Sequence, residues 1–469
     1  MTLSRKVLVI GLFAAVAFGR ALSAQAQAVK PESFTLDGAI NYALANYPAV
    51  RAALERQAAA RAGVDLARTT YLPRADSLWQ SNRATRNNIF GLLLPQSIIS
   101  PISGPVLAST SGQSVWGSAG GLLFSWEPFD FGYRRAKVDA ARANEVRYRY
   151  EAELTRLDVA AATANAFLTL LAAQQTVRAA QADVQRREVF VKTVHVLVDN
   201  LLRPGADASR ADAELARSRI AWIRSQQQEQ VSRAALADLL GIAGSEVKIE
   251  SGPLLSLAPE LSATAPSLTS HPEAGAQQAR VQEEKALVES LGRAYVPRFD
   301  FQSTAYGRGT GANTDGTVAG GLNGLGLERA NWGAAMTVTF SLLDFFSLRA
   351  QKQIEASKER AESARYDQTI QDLTGRLEEA KASLEGARRV AQETPIEFQA
   401  ARETETQARA RYQAGLANIV EVSDAQSLLA QSEADDALAR LAVWQNLASV
   451  AAAQGDLKPF IDLLRNQVP

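Results

Sequence analysis

The chain is written twice. Tyr71-Leu72-Pro73-Arg74 recurs as Tyr295-Val296-Pro297-Arg298, an offset of 224, and Pro48 recurs as Pro272 at the same distance. Trp116-Gly117 and Phe124-Ser125 return as Trp332-Gly333 and Phe340-Ser341, both offset by 216. Asp130 and Arg135-Ala136 return as Asp344 and Arg349-Ala350, offset by 214, and Gly205 answers Gly415 at 210. Offsets that shrink in small steps are what a duplication with loop deletions leaves behind. The chain must therefore fold as two copies of one supersecondary plan.

Each copy reads in the same order. A helix of about 25 residues opens at Pro48 or Pro272, where proline suits the first helical turn. It ends before Pro73 or Pro297, because the residue preceding a proline is pushed out of the helical region. A strand follows, then a loop of small polar residues (Asn87 to Gln113, and Gly309 to Ala330), then a second strand. After Asp130 and Asp344 come long, charged, Ala-rich stretches that stop near Pro204-Gly205 and Gly415. Return helices lead on to Gly241 and Gly455. A helix of about 70 residues is about 105 Å long, far beyond one globular domain, so these helices must project. Pro395 interrupts only the second, where a kink is expected. Residues 29–250 and 271–469 are the two repeats, and 251–270, with three prolines among small polar residues, reads as a linker.

The second strand of each copy alternates. From Asn331 to Leu342, Trp332, Ala334, Met336, Val338 and Phe340 share one face, and Asn331, Gly333, Thr337 and Thr339 the other. From Val115 to Trp126, Trp116, Leu122, Phe124 and Trp126 oppose mostly small residues. Apolar outside and small or polar inside suits a lipid-facing barrel, although a soluble sheet with one buried face alternates in the same way. Trp116 and Trp126 lie ten residues apart, roughly 33 Å along a strand. At a tilt of about 40° that projects to roughly 25 Å, the height of the apolar band between aromatic girdles. Four strands cannot close a barrel, and open edges cannot face lipid. Two copies would give eight strands with a filled interior; three would give twelve, wide enough to conduct.

The ends and composition narrow the compartment. Arg5 and Lys6 precede an apolar run from Val7 to Phe18, and small residues with A-x-A sites follow, so residues 1–28 read as a secretory signal peptide. No cysteine occurs, which excludes disulfides and a lipid-modified amino terminus. Fifty basic against fifty acidic residues leave no electrostatic case for nucleic acid. Two histidines and two methionines argue against a metal site, and nothing implies a cofactor. No G-x-S-x-G and no histidine in a catalytic motif is present, so no enzyme is expected. Past the signal peptide no stretch of about 20 apolar residues is found, and membrane insertion would have to be as a barrel.

Taken in order, these motifs resemble the TolC-like outer-membrane efflux proteins. The residues that carry the resemblance are N-Y-P at Asn46 to Pro48, S-H-P at Ser270 to Pro272, the two Y-[LV]-P-R segments, the F-S turns into each long helix, and R-Y-x-x-G at Arg411 to Gly415. The resemblance covers essentially the whole chain after the signal peptide. It implies a mixed α+β membrane protein, a homotrimer whose four strands per chain form a 12-stranded outer-membrane β-barrel. A long α-helical coiled-coil tunnel continues that barrel through the periplasm of a Gram-negative cell. The implied function is the exit duct of a tripartite efflux or secretion system, docked to a periplasmic adaptor and an inner-membrane pump of RND, ABC or MFS type. The implied tip turns and adaptor contacts are Gly205 and Gly415. The implied gate comprises Glu421 and Asp424 as a carboxylate ring, Tyr412, and in the first half Ala211 or the adjacent Asp212. Ala417 stands where the family's closing ion-pair latch has a basic residue. Trp116, Trp126 and Trp332 become the membrane girdle, in contact with outer-membrane lipid.

Each of these residues also has a plainer role. Acids in the first turns of a helix complement its dipole, and at i, i+3 they share a face. Glycines at helix ends serve left-handed turns. His195, inside a long helix with no partner in motif range, reads as solvated surface. The competing function class is a surface-exposed structural or adhesive coiled-coil protein. That class explains the long helices but not the duplicated, aromatic-edged strand pairs.

Overall fold

The computed structural model describes residues 32–85, 112–259, 267–313, 317–340 and 344–466. The expected signal peptide and most of the loop from Asn87 to Gln113 lie outside the described residues. After a short helix α1 (Leu36–Asn46) the order is α2 (Pro48–Thr69), β1 (Arg74–Thr85), β2 (Ser114–Phe129), α3 (Tyr133–Asp199) and α4 (Gly205–Leu239). The same order returns as α5 (Pro272–Arg293), β3 (Arg298–Thr310), β4 (Arg329–Thr339), α6 (Phe345–Gln413) and α7 (Ile419–Ala453), closed by α8 (Lys458–Arg465). Pro48 and Pro272 sit at the first turns of α2 and α5, behind residues with extended backbone. There the missing N–H costs nothing and the fixed φ is already helical. Gly309, Thr310, Arg329 and Ala330, expected in a loop, belong to β3 and β4.

α3 has 67 residues and α6 has 69, each roughly 100 Å long at about 1.5 Å per residue. α6 runs on continuously through Pro395. The cost of that proline falls on the carbonyl of Ala391, which loses its donor four residues on.

The sheet is purely antiparallel, in the order β1-β2-β3-β4. Its register sorts residue chemistry by face. Asp76, Gln80 and Asn82 of β1 lie level with Leu123, Ala119 and Gly117 of β2. These lead on to Thr304, Arg308 and Thr310 of β3. Gly333, Asn331 and Arg329 of β4, with Asp300 opposite Thr337, complete that face. The other face aligns Trp79, Leu122, Phe124 and Trp126 with Phe301, Ala305, Trp332, Ala334 and Met336. β3 and β4 keep their polar residues on the first side and mostly apolar or small ones on the second; β2 adds small residues to the first side, and β1 adds Trp79 to the second, beside Ser77, Ser81 and Arg83. Near the strand ends remote from the helices, Leu327 packs over Gly120 and Gly307 on the apolar face. A side chain at Gly309 would collide with the Gly326 carbonyl oxygen, so the returning loop needs glycine there.

The main core lies where the helices overlap at mid-height. Ala160, Ala164, Phe167, Leu168 and Leu171 of α3 are buried with Leu36 and Ile40 of α1, Leu236 of α4, and Val443, Trp444 and Leu447 of α7. Contrary to the expectation from the sequence, one window of α3 is apolar enough to cross a membrane. Half of that window is buried, so its apolarity is accounted for by this core. The first part of the expected linker belongs to the same core. A helical turn at Gly252–Leu255 buries Leu254, and the Trp444 indole N–H donates to the Ser256 carbonyl at 3.0 Å.

At the strand-to-helix corner the buried Asp130 carboxylate accepts the Arg134 backbone N–H at 2.5 Å and its Nε at 3.0 Å. Burial alone would raise its pKa; the N–H groups of Arg134 and Gly132 and the guanidinium overcome this and hold the carboxyl below its ordinary value. Arg134 also donates to the Thr70 and Glu127 carbonyls and lies over the Tyr71 ring, fastening α2, β2 and α3 together.

Candidate functional site

The antiparallel helix pairs α3–α4 and α6–α7 each end in a turn, and the two turns meet. α6 finishes with Gly415 at φ +79°, the Leu416 N–H returning to the Arg411 carbonyl and the Gly415 N–H to that of Tyr412. This is a Schellman closure, in which a left-handed residue lets two late N–H groups satisfy orphan helix carbonyls. α3 ends in the same closure, but the left-handed residue is Leu201 at φ +61°. Leu202 N–H bonds the Leu197 carbonyl and Leu201 N–H that of Val198. The counterpart of Gly415 is thus Leu201, at offset 214, and not Gly205. Gly205 instead opens α4, behind Pro204. Leu201, Leu202 and Leu416 are 93%, 68% and 70% exposed, leaving three apolar side chains uncovered at the tip.

Beneath them is a second buried cluster, formed by Phe190, Val194, Ala211, Tyr412, Ile419 and Val422 among others. Tyr412, fully buried, packs edge-on to Phe190 and donates its hydroxyl to Asp207 at 2.9 Å. Burial and the Asp207 carboxylate push its pKa up to about 12, so the phenol stays a donor. Arg203, from the first turn, lies 4.3 Å over the Tyr412 ring. It donates to the carbonyls of Tyr412 at 2.6 Å and Ala417 at 3.1 Å. Ala417, where the resemblance implies a basic side chain, offers its backbone carbonyl to Arg203 of the opposite turn.

Glu421 and Asp424 stand exposed on one face of α7, opposite the buried Val422 and Ala425. Asn418 accepts the Glu421 N–H at 3.0 Å, and the Glu421 carboxylate reaches back to the Asn418 N–H, a capping box that closes the start of α7. Glu421 also pairs with Arg411 at 3.3 Å. Asp424 has no partner among the described residues.

The first half does not bring a matching carboxylate. Buried Ala208, Ala211, Leu215, Ser218, Ser225 and Leu236 of α4 correspond, at a constant offset of 211, to buried Ile419, Val422, Gln426, Leu429, Asp436 and Leu447 of α7. In that register Glu421 matches Arg210 and Asp424 matches Ala213. Ala211 faces inward, and Asp212 points at the surface to His195, whose Nε2 lies 3.1 Å away. The correspondence of Asp212 with the acidic pair is thereby corrected; His195, read as solvated surface, is partly exposed and faces Asp212 from 17 positions away.

The residues around Tyr412 that the sequence did not single out are Arg203 and Asp207. Arg203 and Asp207 act on Tyr412 from more than 200 positions away, so no local spacing announces them. Trp116, Trp126 and Trp332, expected as a membrane girdle, share one face of the sheet: Trp332 is largely exposed, Trp126 donates its N–H to the Tyr71 carbonyl, and Trp116 lies beneath the Arg83 guanidinium. Among the described residues no cluster of His, Asp and Glu could hold a metal ion.

The chain is similar in structure to several solved channels. It superposes on CusC with a TM-score of 0.75 at 16% identity, covering 90% of this chain and 92% of that one. For CmeC of Campylobacter jejuni, an outer membrane channel, the values are 0.73, 15%, 92% and 90%. For the outer membrane protein VceC of Vibrio cholerae they are 0.72, 18%, 90% and 96%. No curated protein matches significantly by sequence. The sequence does match the outer membrane efflux protein family over residues 39–242 and 266–456. With that match spanning both repeats, the chain belongs to the outer membrane efflux protein family.

Proposed function

We propose that three copies of this chain form an exit duct: a barrel of twelve strands in the outer membrane, continued inward by the paired long helices. The observation that carries this reading is a sheet whose β2, β3 and β4 gather their large apolar side chains on one face, with edges at β1 and β4 that have no strand partner among the described residues. Unpaired edges are not tolerated in lipid, and joining β4 of one copy to β1 of the next removes them. The polar face then lines the lumen. In this reading the tip turns point into the periplasm. The exposed leucines of both turns suit an apolar contact with a periplasmic adaptor, which links the duct to an inner-membrane pump of RND, ABC or MFS type. Glu421 and Asp424 of three copies stand as six carboxylates around the narrow end, a negative potential that favours cations.

Sizing of the purified protein and single-channel recording in planar bilayers test this together. The variant Glu421→Gln with Asp424→Asn keeps the capping box while removing the charge. A trimer with cation-selective channels is expected, blocked by trivalent cations in the native form and much less in the variant. Unaltered block in the variant would remove the gate assignment, and a species other than a trimer would remove the duct.

A further inference from the structure

The polar face of the sheet is not uniform along the strands. Near the helices it is mixed, with Arg74 paired to Asp76 at 2.9 Å, and Arg298 and Asp300 two positions apart on the same face. At the remote end its only charged strand residues among those described are Arg308 and Arg329, which the register sets directly opposite each other. Like charges facing each other across a strand pair are destabilising. Neither guanidinium has a side-chain hydrogen bond or an ion pair among the described residues. Glu328, next to Arg329 in sequence, is exposed and pairs with neither, giving Arg308 only its backbone N–H at 3.1 Å. A cationic pair kept at a cost, with no carboxylate paired to it among the described residues, is what an anion site requires.

We infer that Arg308 and Arg329 of the assembled copies form an anion-binding ring at the outer mouth of the barrel, taking polyanions with phosphate-type oxygens. This rests on the three-copy duct proposed above, which gathers six guanidiniums around one lumen. Arginine presents a planar fork of donors that matches phosphate oxygens two at a time, and it stays charged at any working pH. The ring lies at the far end of the molecule from the Glu421 and Asp424 carboxylates, so the duct carries opposite potentials at its two ends. An anion leaving through the cation-favouring tip meets an attractive site just before exit.

The test is calorimetric titration of inorganic tripolyphosphate into the purified full-length protein in detergent at low salt, on material sized beforehand. One anion per three chains is expected. Raising the ionic strength to 1 M, where the screening length falls to about 3 Å, should suppress binding. Arg308→Glu turns the like-charged pair into an opposite pair, which favours the native strand register. It should weaken binding on the order of tenfold or more, the loss of one charged hydrogen bond per copy. The Glu421→Gln, Asp424→Asn variant should bind as the native protein does. Equal affinity in Arg308→Glu, one anion per chain, or no binding by a trimeric sample would each overturn the ring while leaving the duct intact. A sample that is not trimeric would fail the duct reading itself, and the ring with it.

Discussion

Ala334 and Ala335 are neighbours in the middle of β4, the same residue type, both exposed, and on opposite faces of the sheet. Ala334 lies beside Ser303 on the face of Trp332 and Met336, and Ala335 beside Gln302 on the polar face. Each is about five residues, or roughly 17 Å of strand, from either end of β4. Ala334→Arg should therefore place a guanidinium deep in the apolar band, at about 2–4 kcal/mol per chain. A three-copy barrel carries the substitution three times, so its assembly should lose roughly 6–12 kcal/mol, comparable with the whole stability of a domain. Ala335→Arg adds the same volume and charge to a wet lumen and should cost little. Heat-modifiable gel migration of outer-membrane fractions, backed by urea unfolding in lipid vesicles, reads the difference. Equal loss in both variants would refute the assignment of faces; greater loss for Ala335→Arg would invert it.

Leu201→Gly should stabilise the first tip turn by about 0.5–1 kcal/mol: left-handed backbone costs a side-chain-bearing residue about 1–2 kcal/mol, partly offset by glycine's extra chain entropy. Leu201 is almost wholly exposed, so no packing is lost, and amide exchange at Leu202 should slow; faster exchange would contradict the closure described. His271 is buried at the start of α5, its Nδ1 accepting the Glu273 N–H at 3.1 Å, and burial lowers its pKa below 6.5. Its native form binds fewer protons than its unfolded form, so its contribution is full above about pH 6.5 and declines as pH falls below that. Asp158, near the same site and raised in pKa by burial and Glu273, works in the opposite sense. Melting temperatures at pH 7.5 and 5 should fall more steeply in the native protein than in His271→Asn, which keeps a helix cap; parallel slopes would count against the buried neutral imidazole.

The periodic parts of this fold were legible in the sequence. Prolines at 48 and 272 mark helix starts, and Gly415 marks the second tip turn. Trp332, Ala334 and Met336 announce the apolar face of β4 because a strand repeats every two residues. The α3 closure was not legible, since Leu201 carries no turn signal and Gly205 and Pro204 nearby carry a strong one. Asp212 drew the comparison with Glu421 because counting from Gly205 imposes the wrong helical register; only the burial pattern of α4 against α7 corrects it. The Arg203, Tyr412 and Asp207 arrangement depends on two turns meeting in space. The repeated Arg135 likewise hid the working residue at the corner, Arg134, whose counterpart in the second half is Leu348.

The two unpaired sheet edges carry a consequence for inheritance. In the three-copy duct proposed above, edges that close only on other copies make every chain a neighbour of every other in its ring. In a cell expressing native and edge-defective chains equally, random mixing into threes leaves about one ring in eight free of defective members. A substitution on β1 or β4 that spoils pairing but not synthesis should therefore act dominantly, suppressing the native gene product beside it. A substitution that prevents the chain from reaching the membrane removes itself from the mixture and should be recessive.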